Sequence, residues 1–263
     1  MKIVVCVKRV PDTSGKVAVN PDGTLDRASM MTIINPDDVN AVEAALALKD
    51  EYGCKVVVVT MGPPPAEKML RTIMAMGADE GILISGREFG GSDTYATSQI
   101  ISAGLVHLGI DDDDIIICGR QAIDGDTAQV GPQISEHLGI PVISYAQKIE
   151  IDGDSVIVER QYDDRYHVLK AKMPCLITAL AELNPPRYMT PGGIFDACDA
   201  ELTVWGRANL VDVEDSNLGL KGSPTQIAKA SDKVRKGQGE KINKDVTESV
   251  DYIVEKLKVR HVI

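Results

Sequence analysis

Short runs of β-branched residues alternate with amphipathic stretches along the first half of the chain. Residues 3–7, 55–61, 81–85, 114–118 and 141–145 read as strands, and the unbroken apolar character of 55–61 is that of a strand buried on both faces. Helical patterns fall between them. The clearest start is Asn35-Pro36-Asp37-Asp38: Asn35 can cap, Pro36 suits the first helical position, and the two aspartates favour the positive end of the helix dipole. Val39, Val42, Ala45, Leu46 and Leu48 form its stripe and Gly53 its stop. Further helices are predicted from the proline cluster at 63–65 to Met76, from Ser92 to Leu108 and from Thr127 to Leu138, each followed by glycine. Strands and helices at this spacing predict an α/β fold, a doubly wound and mainly parallel sheet with helices on both faces.

The period then changes. Residues 149–158 read as a hairpin around Asp152-Gly153, a second turn at Asp163-Asp164 leads into 166–172, and 174–178 is apolar again, so an antiparallel meander over 149–178 is predicted on the parallel core. Beyond Ala181 the proline- and glycine-rich stretch 184–193 argues against helix or central strand, and 215–244 is polar and Gly-rich. A stripe returns at Val250, Ile253, Val254 and Leu257, a helix that either folds back or docks on a partner; docking is the favoured reading. The expected organisation is a core of residues 1–181 including the meander, then a C-terminal extension, 182–263, holding a partner-binding loop, a polar linker and a docking helix.

Composition narrows the function. The 263 residues carry 28 Lys+Arg against 39 Asp+Glu, a net charge of −11, which argues against a nucleic-acid backbone binder. No apolar run reaches the ~20 residues of a membrane span. Five cysteines with no C-x-x-C spacing suggest neither a disulfide framework nor a zinc site, so a reduced, cytoplasmic location is expected. The four histidines (107, 137, 167, 261) are scattered away from carboxylates and cysteines, so no metal site and no catalytic triad is expected.

In an open parallel sheet, ligands sit beyond the carboxyl ends of the strands, where strand order reverses. That rule selects residues 7–9, 61–63, 86–93 and 119–127. The most informative loop is Gly119-Arg120-Gln121-Ala122-Ile123-Asp124-Gly125-Asp126-Thr127-Ala128-Gln129-Val130. It leaves a buried strand and enters a helix expected to begin near Asp126 or Thr127, where backbone N–H groups can hold a phosphate that Arg120 would neutralise. The alternative is an ordinary strand-to-helix turn with Asp126 as its cap. Asn35 to Asp38 would suit a ribose hydroxyl or an adenine amine better than a phosphate, and capping alone also explains them. The segment Gly90-Gly91-Ser92-Asp93-Thr94 carries three readings: the loop of an ATP-cleaving enzyme, a glycine turn with Ser92 as helix cap, or a wall of polar residues facing a cofactor. No nucleophile, P-loop or G-x-G-x-x-G is evident, so no catalytic side chain is assigned. A nucleotide pocket without one suggests that a cofactor performs the chemistry.

Taken in order, several stretches resemble the β subunit of electron transfer flavoproteins along nearly the whole chain. They are Val5-Cys6-Val7-Lys8-Arg9-Val10, Asn35-Pro36, Arg71-Thr72-Ile73 with Ala75-Met76-Gly77-Ala78-Asp79, residues 119–131, Val158-Glu159-Arg160 with Met173-Pro174, and Asn184-Pro185-Pro186-Arg187-Tyr188. The resemblance implies a Rossmann-like adenine-nucleotide fold and a heterodimer with an α subunit that carries FAD. By position it implies nucleotide contacts from Cys6, Asn35, Pro36, Asp37, Asp38, Met61 and each residue from Gly119 to Val130. Family members hold either AMP, as plain carriers, or a second FAD, as bifurcating proteins. In the latter, NADH gives hydride to the β-subunit flavin; one electron passes to ferredoxin or flavodoxin, the other through the α-subunit FAD to an acyl-CoA dehydrogenase. Residues 124–132 and 91–98 resemble the bifurcating group, which implies Asp93, Thr94 and Thr97 beside the flavin ring. Two departures stand out. The family's acidic-Gly-Gly turn is here Asp163-Asp164-Arg165, with Lys170 or Lys172 near a later Glu position. The dehydrogenase-docking segment reads Met189-Thr190-Pro191-Gly192-Gly193-Ile194, with Asp196 and Asp199 where lysines are usual.

Overall fold

The computed structural model describes residues 1–12, 31–211, 213–225, 237 and 239–263. Among these described residues, eleven strands and seven helices follow in the order β1 (Lys2–Cys6), β2 (Arg9–Pro11), β3 (Thr32–Ile34), α1 (Pro36–Tyr52), β4 (Lys55–Met61), α2 (Glu67–Met76), β5 (Glu80–Ile84), α3 (Thr94–Leu108), β6 (Ile115–Gly119), α4 (Val130–Leu138), β7 (Val142–Asp152), β8 (Ser155–Gln161), β9 (Tyr166–Lys172), β10 (Cys175–Ala179), α5 (Pro191–Asp199), β11 (Thr203–Trp205), α6 (Gly219–Gly222) and α7 (Val246–Val259). Nine strands form one sheet in the order β11-β5-β4-β1-β6-β10-β7-β8-β9, parallel as far as β7 and antiparallel beyond it. From β1 the sheet grows outward through β4 and β5, then the chain returns to place β6 on the other side of β1. The switch point therefore lies between β1 and β6, where Cys6, the last residue of β1, is in register with Cys118, one residue before the end of β6.

Strand periodicity divides the core in two. Ile3 and Val5 of β1, Val56 and Val58 of β4, and Ile115 and Ile117 of β6 face one side with residues of α1 and α2. Val4, Val57, Val59, Ile116 and Cys118 face the other, with Ile100, Ile101 and Leu105 of α3 and Ile134 of α4. Each such isoleucine, removed from water, contributes about 1.5–3 kcal/mol.

Four details differ from the sequence reading. The strand expected at 141–145 and the first arm of the hairpin are one bent strand, β7, which runs parallel to β10 and then antiparallel to β8. Its register shifts around Tyr145, which has φ +60°. β10 leaves the meander and inserts between β6 and β7, where all five of its residues are buried. An apolar run buried on both faces needs a partner on each edge. Helix α5 begins inside the stretch expected to exclude helix: Pro191 occupies its first turn, and the Thr190 side chain accepts the Gly193 N–H at 3.0 Å. Gly193 lets this helix approach the carbonyl of Ala75 on α2, and Arg71 Nη1 donates to the α5 carbonyl of Ala197 at 2.6 Å. Finally, β2 and β3 form a small antiparallel arm that no periodicity announced. The turn signals expected at 20–23 lie outside the described residues.

Two compact units result, residues 1–229 and 230–263. This division does not fall at the expected boundary of 181/182. Beyond that point β11 extends the sheet, and Trp205, Leu210 and Leu218 enter the second core cluster. Arg187 also ties the chain to α1, with both Nε and Nη2 donating to Glu43 at 2.9–3.0 Å. In the second unit, Asp245 caps α7 by accepting the Glu248 N–H at 2.9 Å, and no residue of the helix is buried. No helix among the described residues is long and apolar enough to cross a membrane.

Candidate nucleotide-binding site

At the switch point the loop after β6 is held by residues from the loop after β1 and from the start of α1. Asn35, fully buried, directs its side chain across this gap: Nδ2 donates to the Gln121 carbonyl at 2.8 Å and Oδ1 accepts the Ile123 N–H at 3.1 Å. It does not cap α1 with that side chain, as the sequence suggested. Its backbone carbonyl accepts from Asp38 N–H instead, and its own N–H donates to the Lys8 carbonyl at 2.9 Å. Pro36 opens α1 behind it.

Asp38 ties the two strand ends together. Oδ2 accepts the Lys8 N–H at 2.7 Å and Oδ1 the Gly119 N–H at 3.1 Å. Burial pushes its carboxyl up to about 7, against the lowering effect of these hydrogen bonds. Burial also raises the Cys6 thiol to about 12 and that of Cys118 well above its ordinary value, so both are protonated core thiols. Asp37 is raised chiefly by burial, partly offset by Arg120. Its Oδ2 lies 3.2 Å from Arg120 Nε, yet neither buried atom has a partner in hydrogen-bonding geometry. The α1 carboxylates are thus neither simple caps nor free ligands.

The loop itself is short of regular structure for longer than expected. Helix α4 begins at Val130, three residues after Thr127, and no side chain caps it. Asp126 does not cap either: it sits at φ +51°, and its Oδ1 accepts from Gln121 Nε2 at 2.8 Å. Ala128 follows at φ +52°. A non-glycine residue in this region costs of order 1 kcal/mol and persists only where its surroundings hold it. Ala122 accepts the N–H groups of Gly125 and Asp126 in the preceding turn, and Lys8 Nζ grips Asp124 through both oxygens at 2.8 and 2.9 Å. The result presents Asp124, Gly125, Asp126 and Thr127 to solvent. Among the described residues, no protein group accepts from the N–H of Thr127, Ala128 or Gln129. With the first-turn donors of α4 they form a group of free N–H groups suited to an anion.

Around this loop, Thr94 Oγ1 donates to Gln129 Oε1 at 3.2 Å and so joins α3 to it. Met61 ends β4, and Thr97 is half-buried one turn into α3. Asp93 has a different task from the expected one. It, and not Ser92, caps α3: Oδ1 accepts the Ala96 N–H at 3.0 Å, while Oδ2 accepts both the N–H and the hydroxyl of Thr225 at 2.9 and 2.7 Å. Ser92 donates to the Phe89 carbonyl. Both Asp93 oxygens are committed within the protein.

Sequence reasoning selected residues 7–9 as a strand-end loop but assigned nothing to Lys8, the cation that meets the loop tip. Gly131 was also passed over. A Cβ there would run into Cys118 Sγ, so glycine is what lets α4 close on β6.

The electron transfer flavoprotein domain is matched over residues 22–208. Acryloyl-CoA reductase electron transfer subunit gamma of Anaerotignum propionicum is 57% identical over 267 residues, covering 100% of both chains. Electron transfer flavoprotein subunit beta of Clostridium acetobutylicum is 53% identical over 264 residues, again covering 100% of each. The caffeyl-CoA reductase-Etf complex subunit CarD of Acetobacterium woodii is 47% identical over 266 residues, with the same full coverage.

Proposed function

The chain belongs to the electron transfer flavoprotein family as a β subunit, and from that membership we propose that it holds FAD at the β1–β6 switch point and takes part in electron bifurcation. The observation that carries the nucleotide reading is the loop 119–130, strained at Asp126 and Ala128, held at Gln121 and Ile123 by Asn35, and leaving the N–H groups of Thr127, Ala128 and Gln129 without a protein acceptor among the described residues. The residues fit an adenine nucleotide. The open donors of 127–130 suit phosphate oxygens, and Gly125 leaves its surface clear. Thr94, Thr97 and Asp93 would lie toward the flavin ring, with Thr94 bonded to Gln129 and Asp93 also holding α3 and the chain at Thr225.

FAD bound there supplies hydride acceptance from NADH and one-electron delivery, to ferredoxin or flavodoxin and, through an α-subunit FAD, to an acyl-CoA dehydrogenase. The protein's part is to fix the nucleotide and keep the loop from relaxing. Two relatives with full-length similarity are named as parts of acryloyl-CoA and caffeyl-CoA reductase systems, which supports a reductase or dehydrogenase partner of that class. Met189 and Ile194, both exposed, are the apolar candidates for that contact, and the unburied stripe of α7 is the candidate surface for the α subunit.

Counting FAD per heterodimer after co-production with the α subunit, with acid-released AMP measured on the same sample, tests this reading. Two FAD and no AMP support it. One FAD and one AMP would make the protein a plain one-flavin carrier.

A further inference from the structure

The loop after β1 and the loop after β6 meet through one pair of charges, Lys8 and Asp124, separated by 116 residues in sequence. Both carboxylate oxygens are gripped, at 2.8 and 2.9 Å, so the contact fixes orientation as well as distance. The other carboxylates of this region are occupied differently: Asp126 by Gln121, Asp38 by two backbone N–H groups and Asp37 by Arg120. Asn35 restrains the loop at its entry, at Gln121 and Ile123. Asp124 lies beyond that clamp, just before the two left-handed residues Asp126 and Ala128. Further along, Gln121 holds Asp126 and Thr94 holds Gln129, so Lys8 adds the ionic restraint at the tip itself, at Asp124.

We propose that Lys8 is a positioning residue for this site, acting through Asp124 as an ionic strap that keeps the donors of 127–130 in their nucleotide-accepting arrangement. The pair also neutralises a carboxylate that would otherwise face an incoming phosphate. Nucleotide affinity depends on the strap because the loop is ordered in advance of binding. The pair is half-exposed, at 49% and 29%, so its effect on overall stability is small while its effect on loop order is local. The proposal rests on the nucleotide reading given above.

The test uses the full chain in complex with its α subunit, stripped of nucleotide, with FAD and AMP as probes. Lys8→Met and Asp124→Asn are each expected to weaken nucleotide binding about threefold, within the range for a surface pair. The double variant should be no weaker than either single one, and the exchange K8D/D124K should recover most of the loss. Melting temperature of the stripped complex should stay constant, which a merely structural role would not allow. Amide hydrogen exchange over 120–130 in the stripped complex should accelerate in both single variants and slow again in the exchange. Loss of affinity in Lys8→Met alone would overturn the strap, because Lys8 would then meet phosphate directly. Unchanged hydrogen exchange in both single variants would overturn it whatever the affinities. A wild-type complex that binds neither probe would refute the nucleotide reading instead, and hydrogen exchange would still decide the strap.

Discussion

The N–H of Gly119 donates to Oδ1 of Asp38 at 3.1 Å, and a Cβ on Gly119 would fall on that same oxygen. The end of β6 and the first turn of α1 thus approach as closely as backbone and carboxylate allow. Gly119→Ala must push α1 away, which breaks the bond and disturbs Lys8, held by the other oxygen. Overpacking of this kind costs about 1–3 kcal/mol. A lowered denaturation midpoint with weakened nucleotide binding is expected; an unchanged midpoint would show that the approach is not tight.

Asp38 also gives the chain a dependence on pH of unusual sign. Burial raises its folded carboxyl to about 7, above the ~3.9 of an unfolded aspartate. Between those values the folded state binds the extra proton, so this group's contribution is largest at low pH and is lost as pH rises through about 7. Asp37, Cys6 and Cys118 are its titratable neighbours; the two thiols, both raised, stay protonated over this window. Asp38→Asn should lower stability at pH 5 by about 1–2 kcal/mol, from one mismatched hydrogen bond. The gap between wild type and variant should narrow toward pH 8, followed by thermal melts at several pH values. A gap that stays constant from pH 5 to pH 8 would mean that Asp38 is ionised in the folded protein throughout.

The sheet was legible because its strands obey period two on both faces, as Val4 and Val5 show by entering opposite core clusters. What escaped the sequence depended on distant partners. Asn35 has the composition and position of a helix cap, and only the folded chain shows its amide spent on a loop 86 residues away. Pro191 and Gly193 are breakers by propensity, yet one suits a first helical turn and the other a close approach to Ala75. The candidate loop was found because strand-end geometry follows from topology. Its strained residues were invisible, since nothing about an alanine at 128 announces a positive φ.

Asp93 links the start of α3 to Thr225. Burial raises its carboxyl, but the hydrogen bonds from Ala96 and Thr225 outweigh this and bring it below its ordinary value. A depressed carboxyl contributes stability above the unfolded value near 3.9, and that contribution is lost as pH falls below it. Asp93→Asn should cost about 1 kcal/mol or less at pH 7, since asparagine is itself a good cap. Asp93→Ala should cost more and should speed proteolysis just beyond Thr225. Equal resistance of wild type and Asp93→Ala to protease would show that the contact with Thr225 does not restrain the chain.

Ala128 offers the most direct check on the strained loop. At φ +52° its methyl is disfavoured, and a β-branched side chain there is worse. Ala128→Gly removes the strain but adds freedom to the unfolded chain, so the net change in stability should stay within about 1 kcal/mol. Ala128→Val should be less stable than the glycine variant by about 1–2 kcal/mol. Stability and binding should then part company: the glycine variant folds at least as well as the valine one, yet it holds nucleotide more weakly than wild type because its loop is no longer ordered in advance. Urea titration of the three proteins, paired with nucleotide titration of the stripped complexes, separates the two effects. Equal stability of the glycine and valine variants would place residue 128 in ordinary backbone and remove the strain on which the loop's pre-ordering rests.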